Sequence, residues 1–193
     1  MSRQPKLYLS PEDYLALERR AEWKSEYLDG EMIAMPRVNE AHCLIVVNTV
    51  SELGRQLKKR SSQAYASAMR IKVSPTGLFT YPDVIVVCGQ AQFDDSQRDT
   101  LLNPTLIIEV LSDSTEAYDR GRKFEHYRKL ESLTEYVLIA QHRPHVESYR
   151  RQPDQGWVLT ESDGLEGSLR LDTIDCELAL AEIYDKVELS GAA

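Results

Sequence analysis

Two carboxylates stand in this chain where packing alone would place none. Pro82-Asp83-Val84-Ile85-Val86-Val87 and Thr105-Leu106-Ile107-Ile108-Glu109-Val110-Leu111 are short apolar runs bounded by Pro, Gly and Asn, the pattern of buried strands. An ionised carboxylate in such a run is costly unless a cation or hydrogen bonds compensate it. Asp83 enters the first run and Glu109 lies near the exit of the second, so antiparallel pairing sets the two acids side by side. Close carboxylates raise each other's pKa, and a divalent cation between them relieves that repulsion. The bland alternative, an acid pair held by Arg or Lys, stays open at this point.

The flanking elements must hold this pair. Ser10-Pro11-Glu12-Asp13 reads as a helix start, and a short helix runs on to about Ala21. Glu26 to Ile33 reads as a hairpin around Asp29-Gly30, a dipeptide suited to a type I′ turn. From Asn39 to about Lys59, Leu44, Val47, Val50, Leu53 and Leu57 recur at helical spacing and predict the longest helix, with His42 in its first turn. Residues 65–73 alternate as one strand, the two acid-bearing strands follow, and 89–103 reads as the loop between them. A helix is expected from Ser112 to about Leu130, with Asp119, Lys123 and Tyr127 on one face at i, i+4 and i+8. Glu135–Ala140 reads as a further strand, 145–151 and 157–162 as a peripheral antiparallel pair, and 178–186 as a closing helix. The order gives a mixed α/β fold, a central mixed sheet flanked by helices, with an N-terminal helix-hairpin and a peripheral C-terminal ribbon.

At 193 residues, 42% hydrophobic and 28% charged, the chain fits one folded domain across 1–193, with its core at about 8–188. No apolar run approaches the roughly 18 residues of a membrane span, and Met1–Lys6 is polar, so a cytoplasmic protein is expected. Cys43, Cys88 and Cys176 form neither a CxxC pair nor a Cys/His ligand cluster, which fits reduced thiols. The net charge of -8 argues at first against a nucleic-acid partner. The segment 154–193, however, holds ten acids against Arg170 and Lys186, so the rest of the chain is balanced and keeps basic clusters, among them Arg120, Arg122 and Lys123.

Four segments carry a resemblance: Tyr27-Leu28-Asp29-Gly30-Glu31, Tyr81-Pro82-Asp83-Val84, Pro104 through Glu109 to Ser112, and Asp119 through Lys123 to Tyr127. As a set they resemble the PD-(D/E)XK nuclease superfamily, and within it the Uma-type restriction-endonuclease-like family. The resemblance implies a restriction-endonuclease-like core and Mg²⁺- or Mn²⁺-dependent hydrolysis of DNA. It makes Asp83, Glu109 and the main chain of Val110 the metal ligands, and Glu31 a further catalytic candidate. His42, Asp119 and Tyr127 take supporting positions, and Arg120 and Arg122 are the candidates for phosphate contacts. One departure matters: the lysine of the E-X-K signature would fall at position 111, where this chain has Leu111. Lys123, one helix later, is the substitute that the resemblance suggests. A nuclease-fold protein that binds nucleic acid or a protein partner without cutting is the alternative. A homodimer is expected on symmetry grounds, since two strands are cut most simply by two sites.

Overall fold

The computed structural model describes residues 8–189; Met1–Lys6 and the extreme ends of the expected domain lie outside the described residues. Helix α1 (Pro11–Glu18) begins where Ser10 Oγ accepts the Asp13 amide at 3.1 Å, with Pro11 in the first helical position. Strands β1 (Ser25–Leu28) and β2 (Glu31–Ala34) form the expected hairpin. Asp29 and Gly30 turn it with φ of 50° and 81°, both in the left-handed region that a type I′ turn requires. Helix α2 (Glu40–Gln56) is capped by Asn39, whose side chain accepts the His42 amide. Then come β3 (Ser62–Ala66), β4 (Arg70–Val73), β5 (Leu78–Thr80), β6 (Val84–Cys88), β7 (Thr100–Leu101) and β8 (Leu106–Leu111).

Helix α3 covers 116–127 in three pieces: an α turn (Glu116–Tyr118), a π turn (Asp119–Lys123) and a second α turn (Phe124–Tyr127). After it run β9 (Glu135–Ala140), β10 (His145–Arg151), β11 (Trp157–Asp163), β12 (Ser168–Leu171), β13 (Cys176–Ala179) and the single-turn α4 (Leu180–Ile183).

Six strands in the order β11-β10-β9-β8-β6-β3 make the central sheet. Its β8–β9 pair is parallel and its other pairs antiparallel. A parallel pair needs a long crossover, and α3 supplies it. Because successive strand residues point to opposite faces, the sheet packs on both sides. Val84, Val86, Ile108, Val110 and Val137 meet α2, β12, β13 and α4. Ile85, Val87, Ile107, Leu111 and Leu138 meet Tyr127 of α3 and the second sheet, ordered β2-β1-β5-β4-β7. The acid-bearing strands pair as expected, with Val84 opposite Ile108.

Four expectations change. The alternation over 65–73 is not one strand: the chain turns at Met69, whose amide bonds to the Ala66 carbonyl, and passes from the central sheet into the second one. A side-chain alternation persists through such a turn, so the pattern alone cannot reveal it. Helix α2 buries His42, Ile45, Val46, Thr49 and Leu53 and leaves Val47 59% exposed, because two apolar stripes compete on it and this one meets the sheet. The segment 89–103 is not wholly loop, since Thr100–Leu101 forms β7 in the second sheet, while β10–β11 pairs as expected at the edge of the central sheet. The segment 178–186 is strand first and helix second, and β12–β13 forms a small sheet of its own.

Candidate active site

Pairing of β6 with β8 leaves Asp83 one residue beyond the Val84–Ile108 pair, level with Glu109. Asp83 Oδ2 accepts the Val110 amide at 2.8 Å, in place of a ladder bond, and lies 3.1 Å from His42 Nε2. Glu109 shares the face of β8 that carries Ile107 and Leu111, the face against α3, and is 3% exposed. There Tyr127 Oη donates to Glu109 Oε1 at 2.8 Å, and Lys123 Nζ stands 2.9 Å from the same oxygen. Lys123 Nζ also lies 3.2 Å from Asp119 Oδ1 and 3.6 Å from Glu26 Oε1.

The π turn sets this geometry. Its wider winding carries Asp119 and Lys123 on one side, and Tyr136 Oη donates to the Asp119 carbonyl at 3.1 Å, tying the widened turn to β9. Such turns inside helices recur at functional sites. Sequence periodicity at i, i+4 finds the pair but not the π winding.

Glu31 does not join the cluster. It is exposed on β2, whereas Glu26, on the inner strand of the same hairpin, is 7% exposed and lines the cavity. Thr80 Oγ1 donates to Glu26 Oε1 and Tyr118 Oη donates to Oε2 at 2.9 Å. The sequence signal for Glu26 was of the kind that exposed Glu109, an acid inside a strand beside a buried aromatic, Tyr27. Of the two expected phosphate-binding arginines, Arg122 lines the cavity. Arg120 points away, to Glu116 and Glu147.

Burial dominates the electrostatics. It pushes the Glu109 carboxyl up to about 8, with Asp119 and Asp83 adding to the rise and Lys123 opposing it. Asp119 is raised for the same reason, against Lys123. For Lys123, desolvation favours the neutral amine, but Glu109, Asp119 and Glu26 together hold it well above the ordinary lysine value. Tyr127, raised by burial, stays a phenol that donates. The result is a cavity of roughly 490 Å³ whose wall sets Glu26, Asp83, Glu109 and Asp119 against Lys123 and Arg122.

That donor set fits a hard divalent ion. The acids offer oxygen only, they outnumber the cations, and Mg²⁺ needs few protein ligands because it keeps several waters. Asp83, Glu109 and the Val110 main chain would hold it.

A family described as "Putative restriction endonuclease", Uma2, matches residues 11–182. The chain belongs to this family. Two proteins of Synechocystis sp. (strain ATCC 27184 / PCC 6803 / Kazusa) are similar along most of their length. "Uncharacterized protein sll1609" is 35% identical over 156 residues, 81% of this chain and 88% of its own. "Uncharacterized protein slr1290" is 34% identical over 176 residues, 91% of each chain. A crystal structure from Anabaena variabilis ATCC 29413, titled a "putative nuclease belonging to DUF820", superposes with a TM-score of 0.71. It covers 90% of this chain and 96% of its own at 20% identity, a likeness of fold. The mixed sheet and its flanking helices are thus a restriction-endonuclease-like core, and the Uma2 chain is nuclease-like. Among the described residues no helix is long and apolar enough to cross a membrane.

Proposed function

We propose that this Uma2 protein is a divalent-metal-dependent nuclease that hydrolyses phosphodiester bonds of DNA, with Asp83, Glu109 and Lys123 as its central groups. The observation that carries the reading is the Lys123 ammonium, 2.9 Å from Glu109, on a helix rather than at position 111. Leu111 is a packed core residue, 4% exposed, so position 111 serves packing and the cation comes from α3.

When bound at Asp83 and Glu109, a Mg²⁺ or Mn²⁺ ion supplies Lewis-acid activation of water and neutralises charge at the phosphate. The protein's own groups do the rest. Lys123 orients the attacking water and stabilises charge that develops on the phosphoryl oxygens. Asp119 and Glu26 fix the ammonium from two sides, and Tyr127 fixes the Glu109 carboxylate. His42 holds Asp83 at Oδ2, the oxygen that also accepts the Val110 amide. Arg122, at the cavity wall, faces where a phosphate backbone would pass.

Incubation with supercoiled and single-stranded DNA plus Mg²⁺ or Mn²⁺ tests this directly. Cleavage by wild type and none by Asp83→Ala supports the reading. Binding without cleavage by wild type in either metal transfers it to a nucleic-acid-binding protein that has lost turnover.

A further inference from the structure

We propose that His145, Glu147 and Glu161 form a second divalent-metal site, of the zinc type, on the β10–β11 pair. None of the three lines the Asp83–Glu109 cavity.

Ladder geometry makes the first argument. Glu147 and Glu161 stand directly opposite each other across β10 and β11, as do His145 and Asp163. Like charges directly opposite on neighbouring strands are destabilising, so two glutamates there need a cation between them. One imidazole faces both, with His145 Nε2 at 3.2 Å from Glu147 Oε1 and 3.6 Å from Glu161 Oε1.

His145 itself gives the second. Its Nδ1 is 2.7 Å from Asp163 Oδ1, a contact that needs a proton on Nδ1, and a neutral imidazole so held turns its Nε2 lone pair towards the two glutamates. A lone pair against two carboxylates is repulsive unless a proton or a metal ion lies between them. The arrangement Asp163–His145–ion is the carboxylate–histidine–metal relay that orients ligating histidines. The other oxygen of Glu147 is held by Arg120 and Tyr149, which leaves Oε1 aimed inward.

The distances admit a metal ion, and charge favours it over a proton. One donor atom from each of the three residues lies within 4.8 Å of the others. Donors bound tetrahedrally at about 2.0–2.2 Å stand about 3.3–3.5 Å apart, close to the two separations found here. The contacts of the patch join Glu116, Glu147, Glu161 and Asp163 to Arg120 and Arg143, which with a neutral imidazole leaves a double negative charge. A dication balances it, whereas a proton on His145 balances half. The imidazole is the donor that favours Zn²⁺ over Mg²⁺, and carboxylate oxygens serve as zinc ligands beside it.

The test uses the full chain carrying Glu109→Gln, so that the cavity described above does not contribute. Zn²⁺ retained per chain is measured by competition with a chromophoric chelator. One ion is expected to be retained. Glu161→Gln, at an exposed position, is expected to weaken it at least tenfold, as is Asp163→Asn through the relay. His145→Asn should abolish retention. No zinc retained by the Glu109→Gln chain, or an affinity unchanged by Glu161→Gln and Asp163→Asn, overturns the site and leaves a protonated histidine shared among carboxylates.

Discussion

Lys123→Met removes an ammonium shared by three acids. Lys123 is 5% exposed, and Glu109, Asp119 and Glu26 are each within 3.6 Å of its nitrogen. Breaking a buried ion pair from one side costs about 3–5 kcal/mol. At about 2–4 °C per kcal/mol for a chain of this size, the melting temperature should fall by about 6–20 °C. The loss must depend on pH in a fixed direction. Glu109 and Asp119 already have folded pKa values raised by burial, and without the ammonium these rise further. A carboxyl whose folded pKa is raised stabilises fully below its unfolded pKa, and that contribution is lost as pH rises through the folded value. The deficit of the variant is therefore smallest near pH 5 and largest above about 8, where Glu109 ionises even in wild type. Mg²⁺ should return part of it by taking the place of the ammonium charge. Thermal unfolding at pH 5 and 8.5, with and without Mg²⁺, measures all of this, and turnover on DNA should fall by about 10²-fold or more. A deficit that grows towards acid, or a variant with wild-type melting and rate, refutes the shared-ammonium reasoning.

Further outcomes follow from the same geometry. Mg²⁺ should stabilise wild type by about 2.7 kcal/mol at a hundredfold excess over its Kd, and Asp83→Asn and Glu109→Gln should each fold yet lose that increment in thermal unfolding. Because Glu109 must ionise to bind an ion and its pKa is raised to about 8, Mg²⁺ affinity should climb with pH through neutrality with release of protons. Calorimetry in two buffers of different ionisation enthalpy reads the release, and a pH-independent affinity contradicts it. DNA affinity should fall steeply with salt; Arg122→Gln should flatten that slope in a binding titration, whereas Arg120→Gln, whose guanidinium is engaged by Glu116 and Glu147, should leave it unchanged. Light scattering is expected to give a homodimer at micromolar concentration, and a monomeric mass with and without DNA removes that expectation.

What was legible in the sequence was what a charge in an apolar run betrays. Asp83 and Glu109 stand out because an apolar strand tolerates no unexplained acid, and their positions at entry and exit make them neighbours once the strands pair antiparallel, as they do. Lys123 was readable as a candidate through its spacing from Asp119 and Tyr127. The resemblance points to Glu31, the residue that leaves the Asp-Gly turn, whereas burial falls on Glu26, because β1 is the strand of the hairpin that lies inside the second sheet. The break at Met69 and the small sheet β12–β13 are hidden for a related reason. Alternation records which side a residue faces, and not which sheet it belongs to, although Ser168-Leu169-Arg170-Leu171 carries an alternation that would have supported a strand.

The lysine's position on α3 also has a mechanical side. Glu109 belongs to the central sheet and Glu26 to the second sheet, and the Lys123 nitrogen reaches both from a helix that belongs to neither. It acts as a rivet through three plates. Any ligand that draws the ammonium towards a phosphate withdraws the rivet from Glu26, so occupancy of the cavity should be felt as slackening of the β1–β2 hairpin against the core, visible as faster amide hydrogen exchange at Ser25–Leu28.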